Sequence, residues 1–282
     1  MTSSSHRPRR LRSVLFAPGN RPDVVAKLPR SNPDGVIVDL EDAVPPAGKV
    51  DARAVTRAAT EVLAREHPEL AVHVRVNAVE SEWFSDDIAA LGPWLAGVVV
   101  PKMESREQLG RIADALARAG LAHLPVVAGI ETARGVHLVD GLLTGPVAAA
   151  YFGAEDFIVD MGGERRPDSL EVLYARSRVA LAARVAGVPA LDQVVPNFGD
   201  DAAFVADAAL GRAIGFAGKM CIHPAQVPLA TQAFSPSADE IAAARRLLEA
   251  FDASDGVVVV DGQMVDEPMA RRARAIIATA DD

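Results

Sequence analysis

Eight short apolar, β-branched runs recur along the chain, and they constrain its fold more than any other feature: SVLFAPG (13–19), GVIVDLED (35–42), AVHVRVN (71–77), GVVVPKME (97–104), VVAGIE (126–131), VAAAYFGAED (147–156), VPALD (188–192) and GKMCIHP (218–224). Most are separated by segments with helical spacing, such as 105–120, 169–187 and 200–215, each closed by a glycine. Ser105 and Gln108 have the spacing of a capping box. Strands apolar on both faces and joined by helical crossovers imply a parallel sheet covered by helices. Eight such units over roughly 220 residues suit a closed (β/α)8 TIM barrel, expected over residues 11–232. A doubly wound open sheet is the alternative, but no G-x-G-x-x-G follows a strand and no Walker A sequence occurs.

The ends of the chain break this rhythm. MTSSSHRPRR (1–10) is Ser- and Arg-rich without an apolar stretch and reads as a disordered tail. Beyond the barrel, residues 233–282 form a C-terminal extension: a helix opened by a Ser237/Glu240 capping box, a hairpin in GVVVVDGQMVDEP, and a final helix. This extension reads as a lid, an oligomerisation arm or both.

Charge and cysteine content narrow the function. With 29 Lys and Arg against 38 Asp and Glu, the net charge of −9 gives no chain-wide footprint for nucleic acid or an anionic membrane. No apolar run reaches the length of a membrane span. A small-molecule ligand is expected. The single cysteine, Cys221, rules out an intrachain disulfide framework and a Cys-based zinc cluster, and fits a reducing compartment, the cytoplasm.

In a TIM barrel the C-terminal ends of the strands converge on one mouth. Read this way, the mouth collects Asp39, Glu41, Asp42, Arg75, Asn77, Lys102, Glu104, Glu131, Glu155, Asp156, Asp192 and His223. Several carboxylates in one cleft repel one another unless a cation compensates them. Glu131 and Asp156 are the candidate metal ligands, and oxygen-only chemistry with room for water favours Mg2+, with Mn2+ a possible substitute. Alternatively, Glu131 caps the helix beginning at Thr132. Gly153 and Ala154, just before two acids, offer backbone amides to a ligand carboxylate, although a tight turn also explains the glycine. Arg75 presents a fork suited to a carboxylate or a developing enolate oxygen, or a salt bridge to Glu41. Lys102 could form a Schiff base, but adjacent acids favour its protonated form. His223 fits either acid/base work or a turn, and Trp83 and Trp94 are assigned to packing.

Taken in order, RSVLFAPGNRP, GVIVDLEDAVPP, VRVN, VVVPKMES, IETARG, FGAEDF, YARSRVALAARVAGVPALD, GFAGKMCIHPAQV and DGQMVDEPM resemble the citrate lyase beta-subunit-like family. These are relatives of malyl-CoA and citramalyl-CoA lyases in the HpcH/HpaI aldolase and citrate lyase superfamily. The resemblance implies a Mg2+-dependent barrel enzyme, commonly a homotrimer, that cleaves or forms a carbon–carbon bond next to a thioester carbonyl of an acyl-CoA. It implies Glu131 and Asp156 as metal ligands, Arg75 as the substrate-carbonyl arginine, and Asp266 as an acid/base group supplied by the C-terminal segment of a neighbouring subunit.

The products would be a 2-oxo acid and an acyl-CoA, or those of the reverse condensation or of thioester hydrolysis. Arg12, Arg21 and Lys27 are expected to meet the phosphates of CoA. QVVPNFGDD (193–201) departs from the family pattern, so the acyl group is left open. Two other readings are a beta subunit acting on a carrier-protein thioester within a citrate lyase assembly, and a non-catalytic binding protein on an enzyme fold.

Overall fold

All eight apolar runs form strands: β1 (Ser13–Pro18), β2 (Gly35–Asp39), β3 (Ala71–Arg75), β4 (Gly97–Val100), β5 (Val126–Ile130), β6 (Val147–Phe152), β7 (Ala190–Asp192) and β8 (Gly218–Cys221). Each pairs in parallel with the next, and β8 pairs with β1, so the sheet closes into a barrel. The computed structural model describes residues 10–254 and 256–280, so the tail expected over 1–10 lies, but for Arg10, outside the described residues. Several strands stop short of the acids that end their sequence runs: Glu41, Glu104, Glu131 and Glu155 all lie past the last strand residue, whereas Asp39, Arg75 and Asp192 are the last residues of β2, β3 and β7.

The helices fill the spaces between strands: α1 (Pro22–Val25), α2 (Lys49–Glu66), α3 (Phe84–Ala90), α4 (Arg106–Arg118), α5 (Ala133–Leu142), α6 (Ala154–Asp160), α7 (Leu173–Ala186), α8 (Asp201–Ile214) and α9 (Gln226–Ala233). The Ser105/Gln108 capping box opens α4, and Gly120 follows that helix at φ 73°. The helix expected over 169–187 starts four residues late. Ser169 sits at φ 53°, a left-handed conformation that cannot continue a right-handed helix.

Inward-facing Val14, Ile37, Val99, Val127, Ala149, Tyr151, Leu191 and Met220 fill the barrel interior. Tyr151 fits only because its neighbour lacks a side chain: a Cβ on Gly129 would stand 2.5 Å from the Tyr151 hydroxyl.

The chain divides into two units, Met1–Thr231 and Gln232–Asp282. The second contains α10 (Ala238–Asp252), β9 (Val258–Val260), β10 (Gln263–Val265) and α11 (Glu267–Ala280). The Ser237/Glu240 capping box opens α10. Between the antiparallel β9 and β10, Asp261 (φ 50°) and Gly262 (φ 78°) both adopt the left-handed conformation of a type I′ hairpin turn. Phe251, Val265 and Ala270 form this unit's own small core, lined by Leu247, Leu248 and Met269. No helix of the described residues is long and apolar enough to cross a membrane.

Candidate active site

Strand register brings the first pair of site residues together. Asp39 and Arg75 end β2 and β3 and are opposite one another in the ladder. Their side chains meet in a fork, with Arg75 Nε donating to Asp39 Oδ1 and Nη2 to Oδ2, both at 2.7 Å. The amides of Glu41 and Ala43 also donate to Asp39. Burial pushes the Asp39 pKa up, but Arg75 and these amides outweigh it, and the carboxyl is held below its usual range. The guanidinium is thereby fixed, as a charge-stabilising group must be.

Glu41 lies between two cations. Arg75 Nη1 is 3.0 Å from its Oε2, and Lys102 Nζ donates to its Oε1 at 2.8 Å. The Arg75 contact lies off the hydrogen-bond direction, so the buried Oε2 has no hydrogen-bond partner. Burial raises the Glu41 pKa, Arg75 lowers it and Glu131 raises it again, leaving it at about 7.

Glu131 directly follows β5 and is 2% exposed. It does not cap α5. Thr132 takes that role, its hydroxyl accepting from the Gly135 amide at 3.0 Å, which frees Glu131 to turn into the barrel. There Oε2 accepts the Lys102 amide at 3.0 Å. Burial raises the Glu131 pKa against the pull of Arg75. Asp156 comes from the first turn of α6, with Oδ2 3.5 Å from Lys102 Nζ. Desolvation lowers the Lys102 pKa, but Glu41 and Asp156 more than reverse this and hold it above its ordinary value. A neutral Schiff-base lysine is therefore disfavoured.

A cavity of about 440 Å³ opens beside these groups. Asp39, Arg75, Glu131, Asp156, Gly153 and Ala154 are in its lining, and Phe16, Val194, Met220 and Ile222 add apolar surface. Tyr151, also in the wall, places its buried hydroxyl beside the Glu131 carboxylate.

Asp39, Glu41, Glu131 and Asp156 give four carboxylates against the two cations Arg75 and Lys102. A divalent cation beside Glu131 and Asp156 would balance this charge. Among the described residues no group of three or more His, Cys, Asp or Glu forms a metal cage. That suits Mg2+, which takes one or two carboxylates and completes its shell with water and substrate. The residues present fit the ion.

The HpcH/HpaI aldolase/citrate lyase family model matches residues 12–224. The chain belongs to this family. It is 52% identical over 280 residues to the citrate lyase subunit beta-like protein of Deinococcus radiodurans, covering 96% of this chain and 98% of that one. It is 33% identical to a (3S)-malyl-CoA thioesterase of Cereibacter sphaeroides, covering 98% and 97% respectively. The CitE protein of Mycobacterium tuberculosis, solved with magnesium, acetoacetate and coenzyme A, matches with a TM-score of 0.82 at 32% identity, covering 96% of this chain and 98% of that one. As a member of this family the chain is an enzyme of the lyase class.

Against that family background, several site expectations need correction. Arg12 is not brought to the mouth: it precedes β1, and its fork closes on Asp34, which precedes β2, at the opposite end of the barrel. The Gly153 amide already donates to the Ile130 carbonyl at 3.1 Å and is not available to a ligand. Gly153 is needed for space instead, since a Cβ there would stand 2.5 Å from Glu131 Cγ. Ala154 is the first residue of α6 and buried in the cavity wall, so its amide has no acceptor within the helix. Arg21 and Lys27 follow β1 on the mouth side, both more than half exposed and both near Asp23.

Asp192 does not face the mouth either. Leu191 points into the barrel, so the alternation of the strand turns Asp192 outward. There Arg176 holds it with bonds of 2.7 and 2.6 Å, Lys219 adds a third at 2.8 Å, and both cations also bind Asp207. Residue spacing alone did not reveal this buried network, nor the roles of Asp39 and Tyr151, although strand parity carried the signal for all three. His223 accepts the Ala225 amide and stacks on Phe198, a turn-fixing arrangement. Trp83 and Trp94 lie under Lys49 and Arg57. Asp266 belongs to the second unit, where its side chain accepts the Met269 amide and caps α11.

Proposed function

We propose that this chain is a Mg2+-dependent carbon–carbon lyase of the retro-Claisen type. Its substrate is a 3-hydroxyacyl thioester of the malyl-, citramalyl- or citryl-CoA class, and its products are a 2-oxo acid and an acyl-CoA. The observation that carries this reading is the Asp39-locked Arg75 together with the Glu131/Asp156 pair in the lining of one cavity. Glu131 and Asp156 would hold the ion, which supplies Lewis-acid polarisation of the hydroxy-acid oxygens.

Arg75 has one edge of its guanidinium, Nε and Nη2, committed to Asp39 and Nη1 turned towards Glu41, leaving N–H capacity on Nη1 for the thioester oxygen as negative charge develops there. Asp39 prevents that guanidinium from reorienting as the bond breaks. Phe16, Val194, Met220 and Ile222 keep water from the enolate and limit the acyl group. Asp266, from the C-terminal unit of a second copy in a homotrimer, takes the substrate hydroxyl proton as the bond breaks and returns it to the enolate carbon. Arg21 and Lys27, both solvent-accessible, meet the CoA phosphates. We place the enzyme in the cytoplasm, in keeping with its unpaired Cys221.

Thioester hydrolysis is the second reading, favoured by the malyl-CoA thioesterase name of a relative covered almost end to end. The test incubates the protein with Mg2+, acetyl-CoA or propionyl-CoA, and glyoxylate, pyruvate or oxaloacetate, and follows CoA species by mass spectrometry. A condensed thioester lost with EDTA and in Glu131→Ala supports the lyase site. With malyl-CoA supplied in place of the pair, free CoA and the hydroxy acid released without a 2-oxo acid indicate the thioesterase. No turnover with any pair would overturn the free-CoA reading in favour of a carrier-protein thioester.

A further inference from the structure

Lys102 is the non-glycine residue at the mouth whose backbone is left-handed, at φ 52°. A lysine has no intrinsic preference for that conformation, so the surrounding contacts must hold it there. They are the groups already described: the Lys102 amide donates to Glu131 Oε2 at 3.0 Å, while its ammonium donates to Glu41 at 2.8 Å and lies 3.5 Å from Asp156. One residue therefore touches both carboxylates of the metal pair, through different atoms. It does so without lining the substrate cavity, which argues against substrate recognition as the reason for its placement.

We propose that Lys102 is a positioning residue that serves as built-in counter-cation for the metal pair: its amide aims Glu131, and its ammonium holds Asp156 and Glu41 until a divalent cation takes over Asp156. This rests on the reading of Glu131 and Asp156 as the Mg2+ pair. An ammonium this close to the ion opposes its binding, because like charges in a partly buried site are weakly screened. The strained backbone is retained because it keeps the Glu131 carboxylate aimed when no ion is present. Lys102 thus trades metal affinity for a folded, correctly charged mouth before metal arrives.

The test is Mg2+ titration by calorimetry at low salt on the full chain, comparing wild type, Lys102→Met, Lys102→Gly and Lys102→Arg. Lys102→Gly suits the left-handed backbone and guards against a folding defect. The Met and Gly variants should bind Mg2+ about tenfold more tightly, and Lys102→Arg should stay near wild type. In EDTA the Met variant should melt below wild type, and saturating Mg2+ should narrow that gap, which a merely structural role would leave unchanged. Equal or weaker Mg2+ affinity in both Met and Gly variants would overturn the proposal. Glu131→Ala separates the two readings: loss of the binding heat supports the metal pair whatever Lys102 does, whereas retained wild-type binding would remove the pair and this proposal together.

Discussion

A methyl group at position 153 would stand 2.5 Å from Glu131 Cγ and 2.6 Å from its Oε1, well inside van der Waals contact. Gly153→Ala should therefore displace Glu131 rather than unfold the barrel, lowering Mg2+ affinity and turnover at least tenfold with an unchanged circular dichroism spectrum. Two buried groups also predict how stability responds to pH in the metal-free protein. Burial pushes His73 down to about 4, so its contribution is complete above the ordinary value of about 6.5 and is lost as pH falls towards 4. Glu41 is raised to about 7, so its contribution is complete below about 4.5 and is lost as pH rises to 7. Each effect is on the order of 3 kcal/mol, and across the shared window they oppose one another. Denaturant titrations between pH 4 and 7 should show stability falling with pH in His73→Leu and rising in Glu41→Gln. A parallel pair of curves would refute both assignments. At this scale the candidate acids at the strand ends were legible, because a polar residue ending an apolar run is conspicuous. Their partners were not, because the Asp39–Arg75 fork depends on a register between strands 36 positions apart in sequence.

The elements were legible wherever their punctuation was local. Capping boxes at Ser105 and Ser237, the glycines closing α4, α7 and α8, and the Asp261–Gly262 turn all stand where neighbouring residues specify them. The start of α7 was missed because a tertiary contact decides it: the Ser169 hydroxyl reaches Asp207 on α8 at 3.4 Å. The same region holds the cluster joining α7, β7, α8 and β8, in which Arg176, Asp192 and Lys219 are all fully buried. Removing one partner there leaves an uncompensated buried charge. Asp192→Ala should thus destabilise the protein by about 3–5 kcal/mol in urea unfolding while leaving the Mg2+ affinity of the folded state unchanged, since Asp192 faces away from the cavity. A change in metal affinity would show that the cluster is coupled to the mouth.

For the whole molecule, the parallel barrel followed from the period of the sequence, whereas the partner of Asp266 did not, because one chain does not specify what another brings to it. Its capping of α11 makes the choice of variant decisive. Asp266→Ala removes the cap, with a loss of about 1 kcal/mol, whereas Asp266→Asn keeps an acceptor and loses only the acid/base function. If a second copy supplies this residue, inactive Asp266→Asn and inactive Glu131→Ala proteins should regain turnover when unfolded and refolded together, because some mixed sites combine an intact barrel with an intact tail. No recovery would mean that Asp266 acts within its own chain and is not supplied by a second copy. The cavity has its own division of labour: its charged groups come from β2, β3 and the residues following β2, β5 and β6, whereas Phe16, Val194, Met220 and Ile222 come from β1, from the segment after β7, and from β8 and the residue following it. Natural variation can therefore reshape the apolar lining while the charge balance contributed by the other strands stays intact, so a lineage can change its fuel without having to rediscover its chemistry.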